Sequence, residues 1–501
     1  MKGLARAAPS AHTYDIADES TDHSRMCLMK STRSFSSITG DAFAALLQAH
    51  DMLNTHTILK KAATARILAA VIWLAGLCAT SFAAESRMSY LDNGVIRIGV
   101  DLNLGGAITW LSASGSGATN LVNSFDWGRQ IQMSHYSGPV PYAPNGKQPN
   151  AAWTGIGWNP IQSGDCYGNR SHIVEHRNDG QELYVKCVPM HWPLNNEPGE
   201  CTFECWLRLA GPVVQARCRF VNQRADTAQY AGRGQELPAI YTNGPWWRLM
   251  TYAGDRPFTG GPLTQIPAKM PWTHWQATEN WAALVNDAGW GVGIWAPDVF
   301  QFSGGFAGKP GAGGPKDNPT GYIAPVLMEI IDHNITYQFR YELILGPVGD
   351  IRRYVSKQVA KPSPPRWQFE RDRQHWHFVN ATDTGWPIRG ELKILVERND
   401  PQLIGPAAFW LAVDAPKLFI EAACHTRHTM AQVFWSRQDA PGFAADRSLT
   451  FPIIGDDAYH RYEVTLSAAP EYRGAITRLR FDPIPVGSPG EYIRVKSISL
   501  R

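Results

Sequence analysis

From Met88 to about Gly349 the sequence consists almost wholly of short alternating runs, among them "GVIRIGVDL", "AITWLSA", "ELYVKCVPM", "TFECWLRL", "VVQARCRFVN", "WAALVN", "GVGIWAP" and "ITYQFRYELIL". Gly, Pro, Asn and Asp separate these runs, which is the punctuation of strands and turns. No amphipathic helix of normal length interrupts them. Parallel strands need helical crossovers, so two large, packed antiparallel sheets are expected. "VAKPSPPRWQ" then reads as a stiff, extended linker, each proline pushing the residue before it away from helix. Beyond it, Trp367 to Arg501 alternates again in "LKILVE", "LFIEAAC", "MAQVFWS", "RYEVTLS", "ITRLRFDP" and "YIRVKSISL". The expectation is an all-β chain with a large sandwich at 85–354, a linker at 355–366 crossed by few contacts, and a second sandwich, a jelly roll, at 367–501.

Charge excludes one class of partner. Lys and Arg number 47 against 44 acids, and they are spread rather than gathered into a stripe, so nucleic acid is not expected. "KKAATARILAAVIWLAGLCATSFAAES" places Lys60, Lys61 and Arg66 ahead of an apolar stretch and the small-residue exit Ser81-Phe82-Ala83, the pattern of a secretory signal. That assigns 52–84 to a signal starting at Met52 and 1–51 to a disordered, misassigned upstream start. The expected protein is secreted or periplasmic, with no stable membrane insertion after signal removal. Cys166, Cys187, Cys201, Cys205, Cys218 and Cys424 would remain. A tight hairpin at "AGPV" sets Cys205 opposite Cys218, which suits a disulfide or two small buried side chains equally.

"LDNGVIRIGVDLNLGGAITWL" resembles the opening of the galactose mutarotase-like β-supersandwich, a hairpin followed by a Gly-Gly turn into a strand, and "ITYQFRYELILG" is similar to its last strand. The likeness covers about residues 88–350. The text after the linker resembles the galactose-binding-like jelly rolls, akin to carbohydrate-binding modules, appended to polysaccharide-degrading enzymes. The resemblance implies a carbohydrate-active protein with a poly- or oligosaccharide as its partner.

Sugars are apolar on their faces and polar at their rims, so tryptophans clustered with Asn, Asp, Arg and Gly point to a sugar cleft. Three loop-rich passages have this character. "SFDWGRQIQMSHYSGP" supplies Trp127, Arg129, Gln130 and His135; "WTGIGWNPIQSGDCYGN" supplies Trp158, Asn159 and Asp165; "TNGPWWRL" supplies Trp246 and Trp247. "FVNQRADTAQYAGRGQELPAIY" occupies the place in chain order where mutarotase-like proteins carry cleft residues on the concave sheet. The family's histidine is absent there and Glu236 sits near its location, with Arg233 and Tyr241 on the same run. That departure argues against simple mutarotation.

Glycosidic cleavage by hydrolysis needs two carboxyl groups. Glu236 is the first choice, with Asp165 and Glu279 as candidate partners, although "SGDCYG" also suits a turn-stabilising Asp. A lyase is the nearest alternative, with Arg129, Arg233, His172 and Tyr241 available as neutraliser and base. A non-catalytic glycan-binding protein is the third reading. No cofactor or metal is expected: "CHTRH" splits its ligands across two strand faces. "SGGFAGKPGAGGPKDNPTG" lacks the ending of a phosphate loop and reads as a long mobile loop.

Overall fold

The computed structural model describes residues 87–359 and 363–501. The segments read as signal and upstream start lie outside the described residues. Met88–Arg501 belong to one compact unit, and no helix among the described residues is long and apolar enough to cross a membrane.

The chain is all-β, as its alternation requires. One sheet of the first sandwich runs, in spatial order, Met88–Asp92, Ile96–Asp101, Ala107–Ala113, Ile131–Ser134, Arg233–Asn243, Thr320–Glu329, Gln301–Ala307 and Thr273–Gln276. The second runs Thr264–Ile266, Arg248–Thr251, Trp281–Val285, Trp290–Trp295, Thr336–Pro347, Val213–Asn222, Cys201–Ala210, Glu182–Val188 and His172–Asn178. Every pairing in the two sheets is antiparallel. The inward side chains of both sheets, including Ile98, Leu111, Ile240, Ile323, Phe203, Phe220 and Leu343, form one shared core.

The period-2 rule fixes which face each residue takes. In the hairpin Cys201–Ala210/Val213–Asn222, Phe203, Cys205, Leu207, Val214, Ala216, Cys218 and Phe220 point inward. Cys205 does stand opposite Cys218, with the two sulfurs 3.6 Å apart as thiols.

Two features depart from expectation. The eleven residues Val348–Gln358, read as strand end and linker, form a helix, α1, that lays Ile351 and Val355 on the outer face of the second sheet. Only two of its positions are buried, a stripe too thin to see in the sequence. Its Asp350 lies in the first turn and Lys357 in the last, each favourable to the helix dipole. In addition, the first residues of the glycine-rich "SGGFAG" belong to the strand Gln301–Ala307 rather than to a loop.

The second sandwich pairs the sheet Thr382–Asp383, Leu392–Leu395, Tyr492–Leu500, Lys417–His425, Tyr459–Thr465 with the sheet His377–Val379, Gln402–Ile404, Ala475–Asp482, Met430–Arg437, Ser448–Pro452. The end of the proline-rich stretch, Arg366–Gln368, adds to the first of these through the strand Tyr492–Leu500. Individual side-chain contacts join the two sandwiches. Ile330 of the first sandwich packs into the core of the second. Arg373 bonds to Asp332 on one side and Asp383 on the other, and Gln229 bridges the same two acids. His375 meets Glu329 at 3.0 Å, and Arg478 donates to Gln301 at 2.7 Å.

Candidate functional site

Glu236 lies on the strand Arg233–Asn243, where Pro238 has no N–H to give to the ladder. The pairing with Thr320–Glu329 breaks there: Glu236 stands opposite Val326 and Tyr241 opposite Tyr322, five residues on one strand against four on the other. This bulge changes the side-chain parity. Gln235, Leu237 and Ile240 face inward, whereas Glu236, Ala239 and Tyr241 share the outer face with Tyr322, Ala324 and Val326.

On that face the half-buried Glu236 carboxylate sits between two phenols. Tyr136 donates its hydroxyl to Oε2 at 2.9 Å and Tyr322 donates to Oε1. Burial pushes the Glu236 carboxyl above its ordinary value, and the bonds from Tyr322, Tyr136 and Ser134 pull back only in part. The phenols respond in the same sense. Burial first, then the Glu236 charge, holds both Tyr136 and Tyr322 well above the ordinary phenol range, so they are proton donors and Glu236 is the base. Tyr322 also anchors an aromatic surface, with Tyr241 and Trp272 each at 4.9 Å between ring centroids. Gly305 makes room for Trp272: a Cβ there would lie 2.4 Å from the Lys269 carbonyl oxygen and 2.9 Å from the indole.

Of the residues singled out in the sequence, Tyr241 and Arg233 join Glu236. Arg233 donates to the carbonyls of Ile156 (2.9 Å) and Ser137 (3.4 Å), and its charge acts on the Tyr136 hydroxyl. The two expected partner acids are elsewhere. Glu279 is fully buried beneath α1, on the outer side of the opposite sheet. It takes a bidentate pair from Arg352 at 2.7 and 2.9 Å, and bonds from Trp281 Nε1 and the Phe258 N–H. Asp165 organises its own loop, accepting from the N–H groups of Tyr167, Asn169 and Asn196 and from the Asn169 side chain. Neither carboxylate is among the groups that act on Glu236.

The other choices are mostly structural. Trp158 is fully buried and Trp246 nearly so, both in the sandwich core. Trp127 packs against Ile156, Ile161 and Trp192. Arg129 is buried, paired with Asp126 and bonded to Asn318 Oδ1 at 2.9 Å, which ties the glycine-rich loop down. Gln130 donates to the Asp126 carbonyl, and Asn159 donates to the His135 carbonyl. Trp247 bonds to Asp287, and His172 is exposed at the edge strand. His135 is buried among Phe203, Phe220, Tyr337 and Phe339, which lowers it to about 4. Glu200 accepts from His191, Tyr142 and Trp158; burial alone would raise it, but the His191 bond and the other donors bring it to about 2.

Tyr136, Tyr322 and Trp272 were not singled out. Tyr136 and Tyr322 lie 100 and 86 residues from Glu236, and nothing local in "SHYSGP" or "TGYIAP" distinguishes them from core or surface tyrosines.

No protein-family model matches the sequence, and no curated protein matches it. Among solved structures, the chain is similar to a galactose mutarotase related enzyme from Lactobacillus acidophilus, at 13% identity and TM-score 0.30 over 52% of this chain and 97% of that one. It is similar to a galactose mutarotase-like protein from Lactobacillus casei at 10% identity and TM-score 0.32, over 52% and 99%. A GH36 alpha-galactosidase from Geobacillus stearothermophilus aligns at 7% identity and TM-score 0.31 over 53% and 40%. The all-β architecture stands on the sheets themselves, and the chemistry on the residues around Glu236.

Proposed function

We propose that this protein is a carbohydrate-active enzyme that cleaves glycosidic bonds by single-base proton transfer at Glu236. The observation that carries the reading is one carboxylate, raised by burial, between two tyrosine hydroxyls and beside the rings of Tyr241, Tyr322 and Trp272. The aromatic surface suits the apolar face of a sugar. A carboxylate of raised basicity suits abstraction of a carbon-bound proton.

Paired-carboxylate hydrolysis, the first expectation from the sequence, requires a second acid beside the first. The described groups that bear on Glu236 are hydroxyls. Elimination uses one base and one acid, with a cation such as Arg233 to neutralise the uronate, and needs no second carboxyl group. Glu236 takes the proton on the carbon next to a uronate carboxylate, and the C–O bond to the leaving sugar breaks as a C=C bond forms. A tyrosine hydroxyl protonates the departing oxygen. Because both tyrosines are already bonded to Glu236, the proton it collected passes back to the tyrosinate and the site returns to its starting state.

The test is to incubate the protein with uronate-bearing and neutral polysaccharides and follow both ultraviolet absorbance and new reducing ends. Unsaturated products from a uronate substrate, lost in Glu236→Gln and strongly reduced in Tyr322→Phe, are expected. Reducing ends without absorbance would restore hydrolysis; near-normal turnover in Glu236→Gln would remove Glu236 from the chemistry.

A further inference from the structure

A surface groove of about 350 Å³ lies on the outer face of the second sheet, the side of the sandwich away from Glu236. Antiparallel register lines its side chains up in rows that cross the strands. One row reads Arg340, Arg217, Trp206, Tyr184, Arg177. Beside it runs Trp295, Glu342, Gln215, Arg208, Glu182.

The charges on this face do not balance locally. Glu182 is taken by Arg208 at 2.8 Å and Glu204 by Arg219 at 2.6 Å. Glu175 is taken by Arg177 at 3.1 Å, and Glu342 accepts the Tyr354 hydroxyl of α1 at 2.7 Å. Arg217 and Arg340 are left directly opposite one another with no carboxylate within ion-pair distance among the described residues. Like charges facing across a strand pair weaken a sheet, so the pair needs a reason. Arg217 is moreover held in place, its guanidinium 4.3 Å from the centre of the Trp206 ring, which is itself braced by Tyr184 at 4.9 Å. Stacking on an indole orients a guanidinium and leaves its N–H edge available for a planar anion.

We propose that this groove is a second, non-catalytic site that binds an acidic oligosaccharide, with a sugar carboxylate on Arg217 and Arg340 and the neighbouring hydroxyls on Gln215 and the rim acids. The acids flanking the arginine row favour a sparsely charged, hydroxyl-rich chain over a polyphosphate, which they would repel at every unit. The site is independent of the Glu236 chemistry.

Calorimetric titration of the full chain with a uronic-acid oligosaccharide of defined length, and with its neutral counterpart, tests this. Arg217→Gln and Arg340→Gln are each expected to weaken the groove's binding by about tenfold or more, and together to lower the stoichiometry by one. Turnover should be kept and the melting temperature kept or raised, because the replaced charges repel one another. The same loss should appear in the Glu236→Gln background, which separates failure here from failure of the catalytic reading. Equal binding of the neutral oligosaccharide, unchanged stoichiometry in the double variant, or displacement by single-stranded DNA at matched charge would each overturn the assignment.

Discussion

Replacing Arg373 by Met should test whether the two sandwiches fold as one body. The Arg373 side chain is 1% exposed, and those of Asp332 and Asp383 are 5% and 0% exposed. Burial by itself would lower the guanidinium's affinity for its proton, but the bonds and charges of Asp383 and Asp332 raise it, so Arg373 is held as a cation. Met fills much of the same volume and removes the cation that both acids hold. Two carboxylates, one from each sandwich, then face each other with Gln229 between them. Breaking a buried pair by deleting one partner costs about 3–5 kcal/mol. In a unit of this size that corresponds to a fall in melting temperature of roughly 5 °C. Thermal and urea melts on the full chain would read it, together with the triple variant Arg373→Met, Asp332→Asn, Asp383→Asn. The triple variant removes the uncompensated charges and should regain most of the loss. Acid should mimic part of the effect. Burial works to raise Asp383, but the Arg373 bonds and charge overcome it and depress the group. Its contribution is therefore complete above the unfolded carboxylate value of about 3.9 and disappears as pH falls through the lower folded value. Melting of Arg373→Met at the wild-type temperature, or a triple variant no more stable than the single one, would refute the reasoning.

Glu279→Gln should lower stability by about 3 kcal/mol, because it strands the Arg352 guanidinium under α1. Turnover by the folded fraction should stay at the wild-type level, and a selective loss of activity at unchanged melting temperature would return Glu279 to the chemistry. Cys187, Cys201 and Cys218 are buried and their thiols are raised by desolvation. They should resist alkylation at neutral pH until the protein is unfolded, and mass spectrometry showing prompt modification of the native protein would contradict their placement.

Strand text and turn residues carry information that is local, and local information determined much of this protein. Alternation alone specifies which side chains of Cys201–Ala210 and Val213–Asn222 enter the core, and the two-residue turn between them sets Cys205 against Cys218. That Glu236 lies on a strand was legible in the same way, whereas the face it takes was expected only from its place in chain order. What completed the site was not legible. Strict alternation would put Glu236 and Tyr241, five residues apart, on opposite faces. They share one because a proline-bearing bulge adds a residue, and only pairing with Thr320–Glu329 reveals where the ladder slips. The tyrosines that hold the carboxylate arrive on other segments, placed by sheet order rather than by any nearby signal. Conversely, acids and tryptophans in suggestive loops were claimed by partners far along the chain: Glu279 by Arg352 of a helix with only two buried positions, Trp158 by the core between the sheets. Periodicity determines the face a residue takes, because it depends on the backbone alone. Which carboxylate remains available for chemistry depends on what other segments bring to it, and only the tertiary structure decides that.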